Sequence, residues 1–283
     1  MTGRRRRVLA GALGVLALGF AIASSTSAGA APAGHLPRRV RAAATRPVFA
    51  PTIVQAMRLV ARRARLPLLA PTSPGFSAYV RHLGAQVATY AHGDAYSVIL
   101  LATPRPLPVN SPALSALAAV AMNLVGTFGG VRYPSAAAAR ADGLLRWPAE
   151  SLAPAYQPPP HVAARRVLLG RSMVGTLYAA PTAGAAGTPM VLWHEGEWTL
   201  EVWDGTAAQD LAQARALVAY LDKNRLPESE GVLGENIAGD GDHTTAAWQM
   251  GDTVYSCFNN ESGVGAAEMA VSERVFPSGA EGP

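Results

Sequence analysis

The stretch that begins with WHEGEW at residue 193 holds the densest group of chemically capable side chains in the chain. Within residues 193–204 it carries four acids: Glu195, Glu197, Glu201 and Asp204. Glycoside hydrolysis uses two carboxyl groups, one as acid and the other as base or nucleophile, and this stretch could supply them. The edge of a solvated hairpin would use the same acids without any chemistry.

Ligand binding without cleavage is a second use for this stretch. In EWTLEVW, alternation places Trp198 on one strand face and Trp203 on the other. If one face is open, the candidate ligand-binding residues are Trp193, Trp203, His194 and Glu201. Packing of the aromatic rings across a hairpin is the alternative interpretation.

Motifs for other chemistry are missing from the sequence. It contains neither G-x-S-x-G nor a glycine-rich phosphate loop, and Tyr220, not serine, stands three positions before Lys223, the only lysine. We predict no catalytic residue and no cofactor, which favours a non-enzymatic role but leaves catalysis open. In GDGDHT, Asp240, Asp242 and His243 give at most a weak metal-binding pattern, and turn formation explains it as well.

A short frame recurs three times: an aromatic, two spacers, Gly and an acid. It occurs as YAHGDAY from Tyr90, WHEGEW from Trp193 and WQMGDTVY from Trp248. Gly followed by an acid between two strand-like runs predicts a hairpin, because Gly adopts the positive φ of a tight turn. A predicted helix follows each copy, so the unit is strand–turn–strand–helix. Whether the Tyr90 copy is a true third repeat stays open.

These elements predict an α+β fold of antiparallel β-hairpins, each followed by a packing helix. We expect two sheet-plus-helix modules, residues 51–155 and 156–283, with a boundary in QPPPH at 157–161. The strongest predicted helix follows Thr206, which forms a capping box with Gln209. The stretch from GTFGG onward reads as loop and short helix.

The N-terminus predicts export. MTGRRRR, an apolar run of 16 residues and a small-residue site near Ala30 have the pattern of a signal peptide over residues 1–30. An uncleaved N-terminal anchor is the alternative. A basic Pro/Ala linker over residues 31–50 follows, so we expect the protein outside the cell or at its surface.

Positive charge is concentrated near this N-terminus. Residues 31–93 contain nine Arg and no acid, and the first acid of the chain is Asp94. The Arg-rich segment 38–65 could bind an anionic envelope polymer or a membrane surface. Aromatic residues do not alternate with these arginines, so no specific nucleic-acid binding is expected. Cys257 is the only cysteine, so an internal disulfide is excluded.

The C-terminal sequence TTAAWQMGDTVYSCFNNESGVGAAEMAVS resembles modules of uncharacterised exported proteins of Gram-positive bacteria. In these a W-x-x-G-x-x-Y/W hairpin is followed by a helix, and the wider likeness covers most of residues 66–276. The resemblance implies a domain of unknown function and transfers no catalytic residue. The function expected is non-enzymatic binding or interaction at the cell envelope or in the medium. The alternatives are an extracytoplasmic hydrolase using the carboxylates of residues 193–204, and a structural surface or assembly protein.

Overall fold

The computed structural model describes most of the chain from residue 47 onward: residues 47–76, 80–90, 92–144, 162–179, 188–237 and 243–277. Outside these residues lie the predicted signal peptide, the predicted linker up to residue 46 and the predicted boundary at 157–161. Within the described part, no helix has the length and apolar character needed to cross a membrane.

The described residues contain twelve strands. They are β1 (Leu69–Pro71), β2 (His82–Thr89), β3 (Ala95–Thr103), β4 (Leu124–Arg132), β5 (Ala164–Leu168), β6 (Val174–Tyr178), β7 (Met190–Glu195), β8 (Trp198–Trp203), β9 (Gly231–Asn236), β10 (His243–Met250), β11 (Thr253–Asn259) and β12 (Glu273–Val275).

The helices are α1 (Pro51–Ala61), α2 (Pro112–Ala118), the single turn α3 (Ala136–Ala138), α4 (Ala207–Leu221) and α5 (Gly265–Ser272). A 3₁₀ turn (Ala121–Asn123) precedes β4, and a π-helical segment (Ala139–Leu144) continues α3. The capping box of α4 forms as predicted: the Thr206 hydroxyl accepts from the Gln209 N–H, and the Gln209 side chain accepts from the Thr206 N–H.

In the described residues one sheet contains ten strands, in the order β2-β3-β4-β11-β10-β9-β8-β7-β6-β5. Its pairs are antiparallel except β8–β9, which are parallel and joined by α4. The fold is therefore α+β with a large, mostly antiparallel sheet. Strand β4 of the first predicted module pairs with β11 of the second, so both halves share one sheet. The expected organisation as two repeated modules is not confirmed.

Helices α1, α4 and α5 cover one face of this sheet, called here the inner face. A row of buried residues in mutual register crosses that face from β7 to β3: Trp193, Leu200, Leu233, Ala246, Cys257, Phe128 and Val98. The opposite, outer face carries α2 and the π-helical segment, which packs on Val232, Ala247 and Val254. Burying a continuous apolar row under three helices is the main stabilising feature of this arrangement.

The three predicted turn glycines all form tight turns. Gly93, Gly196 and Gly251 have φ of +73°, +61° and +64°, values that favour glycine over other residues. The strand registers place all three turns at the same end of the sheet. The helices after these hairpins differ, because α4 and α5 pack on the inner face whereas α2 packs on the outer face. The helix that follows the Tyr90 hairpin therefore covers the opposite face of the sheet from the helices that follow the other two hairpins.

Strand β4 corrects the expectation of a loop at GTFGG. Its glycines are needed for close packing rather than for a turn. A Cβ on Gly130 would lie 2.9 Å from the Tyr255 ring and 3.1 Å from the Tyr96 ring, and one on Gly129 would meet the backbone of β3. The glycines that suggested a loop are therefore what lets β4 fit between β3 and β11.

Candidate functional site

The four predicted ligand-binding residues do not share one surface. Trp193 lies in the buried row of the inner face and is 1% exposed. Trp203 lies on the outer face, 7% exposed, in a cluster with Met190 and Leu192. Both rings contribute to packing, and neither offers an open face to solvent. Ligand binding by these residues stays a prediction.

His194 and Glu201 lie on the outer face in very different surroundings. His194 is exposed, and its Nδ1 lies 3.2 Å from the Thr199 hydroxyl. Glu201 is fully buried, and neither carboxyl oxygen has a hydrogen-bond partner among the residues that the structure describes. Burial raises the pKa of Glu201 to about 9, so the carboxyl is neutral at neutral pH.

The hairpin acids are separated by the strand geometry. Glu195 and Glu197 flank the turn at Gly196, whereas Asp204 follows the other end of β8 and has a positive φ of 76°. Glu201 lies on the outer face of the sheet between them. Only Glu195 and Glu197 therefore remain together as candidates for two-carboxylate chemistry.

A cavity of about 480 Å³ lies between this turn and the segment that follows α4; we call it the hairpin cavity. The apolar part of its wall comes from Trp198, Leu221, Leu226 and Pro227. The indole Nε1 of Trp198 donates to the Pro227 carbonyl at 3.0 Å, which joins the two walls. The volume is within the range of small-molecule sites.

Among the described residues that line the hairpin cavity, acids outnumber bases. Glu195, Glu197 and Glu228 are the acids and Arg225 is the base, beside the uncharged Asn224 and Ser229. In the described part of the chain none of these three acids forms an ion pair, since the salt bridges there join Arg132 to Asp252 and Arg140 to Glu230.

Glu195 is more buried than the other two acids of the hairpin cavity. It is half-buried, and its Oε2 atom is buried without a hydrogen-bond partner. Burial, and secondly the negative charge of Asp222, raise the pKa of the Glu195 carboxyl. A perturbed carboxyl in a cavity is a common feature of binding and catalytic sites.

The weak metal pattern at Asp240 and Asp242 falls outside the described residues, and His243 packs against Phe258 with ring centroids 6.0 Å apart. Across the ranges that the structure describes, no group of three or more His, Cys, Asp or Glu is placed to bind a metal ion.

Sequence reasoning missed a buried polar row on the inner face. Glu235, Thr244 and Asn259 are register partners across β9, β10 and β11, and all are fully buried. Thr244 accepts from the Ala266 N–H and Asn259 donates to the Pro74 and Gly75 carbonyls, so they hold α5 and a distant loop. Strand alternation placed Glu235 on the face of Leu233 and could have signalled its burial.

No protein-family model matches the chain, and neither a curated protein nor a solved structure shows significant similarity to it. The resemblance to exported Gram-positive proteins therefore remains a prediction from the motifs alone.

Proposed function

We propose that this is an exported, non-enzymatic binding protein whose ligand site is the hairpin cavity. The ligand is an organic cation, either a quaternary ammonium or a protonated amine on a small apolar body. The observation that carries the proposal is a cavity with an apolar wall and three acids, Glu195, Glu197 and Glu228, that form no salt bridge within the described residues.

Charge complementarity selects the cation. Unit charges 4 Å apart attract by about 4 kcal/mol at the effective dielectric near a protein surface, so two or three carboxylates favour a cationic ligand strongly. The positive charge of a bound ligand would offset the cost of ionising the half-buried Glu195 carboxyl and the repulsion from Asp222. An anion would meet repulsion from the same groups.

Apolar contacts would hold the body of the ligand. Trp198, Leu226 and Pro227 present carbon surface to the body of the ligand. Trp198 is only 3% exposed, so its ring has no open face on which a sugar could stack. This favours a compact ammonium over a sugar ring that requires stacking.

Isothermal titration of the full chain with choline, and with its uncharged carbon isostere dimethylbutanol, tests the proposal. Choline keeps its charge at every pH, so any pH dependence belongs to the protein. We expect choline to bind about tenfold or more tightly than the isostere. Equal affinity of the two would refute recognition of the charge.

Variants locate the site. Glu195→Gln keeps the shape of the side chain and removes its charge, so choline affinity should fall by about tenfold. Asp94→Asn is the matched control, because Asp94 follows the turn glycine of another hairpin and does not line the cavity. An equal loss in both variants would indicate a general field effect instead of a site.

The pH dependence has a defined sign. The pKa of Glu195 is raised, so the free protein becomes more negative as pH rises through this value. Choline affinity should therefore increase with pH across that range, and Glu195→Gln should flatten the profile. A profile unchanged by Glu195→Gln would exclude this carboxyl from the site.

Glycoside hydrolysis at the same cavity is the second candidate, favoured by one observation: the raised pKa of Glu195, close to Glu197. A carboxyl with a raised pKa is suited to act as general acid while a neighbouring carboxylate acts as base or nucleophile. Release of reducing ends from chitin or cellulose oligosaccharides, lost in both Glu195→Gln and Glu197→Gln, would support hydrolysis. Choline binding without such release supports the binding function.

A further inference from the structure

A second cavity, of about 500 Å³, lies where the C-terminus of α1 meets the turn between β2 and β3; we call it the basic cavity. Its polar wall is made by Arg62, Arg63, Arg65, Thr89, Tyr90 and His92. None of the described residues that line it is Asp or Glu. The cavity therefore has the opposite charge to the hairpin cavity, at the same end of the sheet.

The three arginines lack acidic partners. In the part of the chain that the structure describes, the salt bridges use Arg132 and Arg140, and neither involves Arg62, Arg63 or Arg65. All three side chains are exposed. An exposed cluster of guanidinium groups without carboxylates leaves its hydrogen-bond donors available to an anion from solution.

Backbone contacts fix the loop that carries these arginines. The Arg65 N–H donates to the Gly93 carbonyl at 2.6 Å, and the Arg132 side chain donates to the Arg65 carbonyl at 3.0 Å. Gly93 adopts a φ of +73°, and a Cβ there would collide with the Arg63 carbonyl. The loop is thus packed directly against the turn, and the arginines project from defined positions around the cavity.

The interaction of arginine with the dipole of α1 does not explain why so many arginines lie at this end of the helix. A cation near a helix C-terminus contributes about 0.3–1 kcal/mol through the helix dipole, and one arginine in the last turn is enough for that. Arg58 already occupies the last turn of α1. Three more arginines beyond it, around a cavity without acids, repel each other unless an anion binds between them.

We propose that the basic cavity binds the phosphate group of a soluble phosphate ester or phosphodiester polymer. Guanidinium groups match the geometry of phosphate oxygens and bind them in pairs of hydrogen bonds, and the Tyr90 hydroxyl and the His92 ring add further hydrogen-bonding groups. A concave site of this volume admits one or two phosphate groups, whereas a flat bilayer would contact only its rim. The inference is independent of the function proposed for the hairpin cavity.

Isothermal titration of the full chain with inorganic pyrophosphate, and with inorganic polyphosphate, tests this inference. We expect both to bind, with an affinity that falls as NaCl is raised, because the interaction is between charges near the surface. The double variant R62Q/R65Q should weaken pyrophosphate binding by about tenfold or more. Undetectable binding of pyrophosphate at millimolar concentration would overturn the proposal.

Arg58→Gln provides the matched control. Arg58 belongs to the same basic segment and is exposed, but it does not line the cavity. Pyrophosphate affinity should change by less than about twofold in this variant. An equal loss in Arg58→Gln and in the single variants Arg62→Gln and Arg65→Gln would show that net charge, and not the cavity, attracts the anion.

Phospholipid vesicles distinguish binding to a membrane surface from binding to a soluble phosphate compound. Because a bilayer reaches only the rim of the cavity, phosphatidylglycerol vesicles should not distinguish the wild-type chain from R62Q/R65Q, and they should not compete with pyrophosphate. Vesicle binding that depends on Arg62 and Arg65, together with no binding of pyrophosphate, would assign the arginines to a membrane surface and refute the cavity.

Discussion

Glu201 of β8 stands directly opposite Gly234 of β9, so the buried carboxyl faces a position that has no side chain. Within the described part of the chain neither carboxyl oxygen of Glu201 has a hydrogen-bond partner, and the strand on its other side places the apolar Leu192 next to it. An ionised carboxylate in such surroundings is very unfavourable, which is why the pKa of Glu201 is raised to about 9.

Replacing Glu201 by Gln should stabilise the protein in a pH-dependent way. The folded-state pKa of about 9 lies above the ordinary value of 4.5, so the native state keeps a proton that the unfolded chain loses. Stability is therefore lost as pH rises through this window, by about 1.4 kcal/mol per pH unit. We expect Glu201→Gln to match the wild type near pH 4 and to exceed it by about 3 kcal/mol near pH 7.

Urea unfolding of both proteins across this pH range measures the difference. Glu197→Gln is the control, because it removes an exposed carboxyl from the same hairpin and should leave the curves parallel. A difference between Glu201→Gln and the wild type that is the same near pH 4 and pH 7 would mean that Glu201 does not hold its proton.

Two glycines should respond to substitution for opposite reasons. Gly196 has a φ of +61°, and a Cβ there would meet nothing within 4 Å, so only the backbone conformation is costly. A Cβ added at Gly130 would instead lie 2.9 Å from the Tyr255 ring. We expect Gly196→Ala to cost about 1–2 kcal/mol and Gly130→Ala to cost as much or more through overpacking.

Asparagine distinguishes the two causes, since it tolerates a left-handed backbone but is larger than alanine. Gly196→Asn should recover part of the stability lost in Gly196→Ala, whereas Gly130→Asn should be worse than Gly130→Ala. Chemical denaturation of the four variants gives the order. A recovery at residue 130 would show that the rings of Tyr96 and Tyr255 move aside readily.

Local patterns in the sequence predicted local structure well. The Gly-acid pairs identified the three turns, and Thr206 with Gln209 identified the start of α4. The pairing of strands was not predictable in the same way, because β4 and β11 are more than a hundred residues apart in the chain. The helices after the turns looked alike in sequence, but which sheet face each one covers depends on contacts made elsewhere.

For the same reason, the sequence predicted only one of the two walls of the candidate site. The acids of the hairpin were recognised, but the second wall of the cavity comes from the loop around Pro227, whose position depends on the crossover through α4. Alternation separates Glu195 at the turn from Glu201 in mid-strand, yet it does not reveal which acid is fully buried. That outcome depends on what covers each face of the sheet.

Shielded tryptophans are a further expectation. Trp193, Trp198, Trp203 and Trp248 are between 0% and 7% exposed, and the rings of Trp198 and Trp248 pack together with their centroids 6.2 Å apart. Trp147 lies outside the described residues, so Trp147→Phe removes its signal. Iodide should quench the fluorescence of this variant weakly when native and strongly in urea. Strong quenching of the native variant would contradict the burial and would reopen Trp193 and Trp203 as ligand contacts.

Cys257 should be chemically inert until the protein unfolds. It lies in the buried row of the inner face, its Sγ lies 3.3 Å from the Ala266 carbonyl, and burial raises the pKa of the thiol well above its ordinary value. Because the thiolate is the reactive form, both access and ionisation limit its reaction. Ellman's reagent should give no signal with the native chain and one thiol per chain in urea, with Cys257→Ala as the blank. Because α5 must leave the sheet to expose the sulfur, the rate of reaction at intermediate urea should follow global unfolding. Fast reaction without denaturant would show instead that α5 detaches while the rest of the protein stays folded.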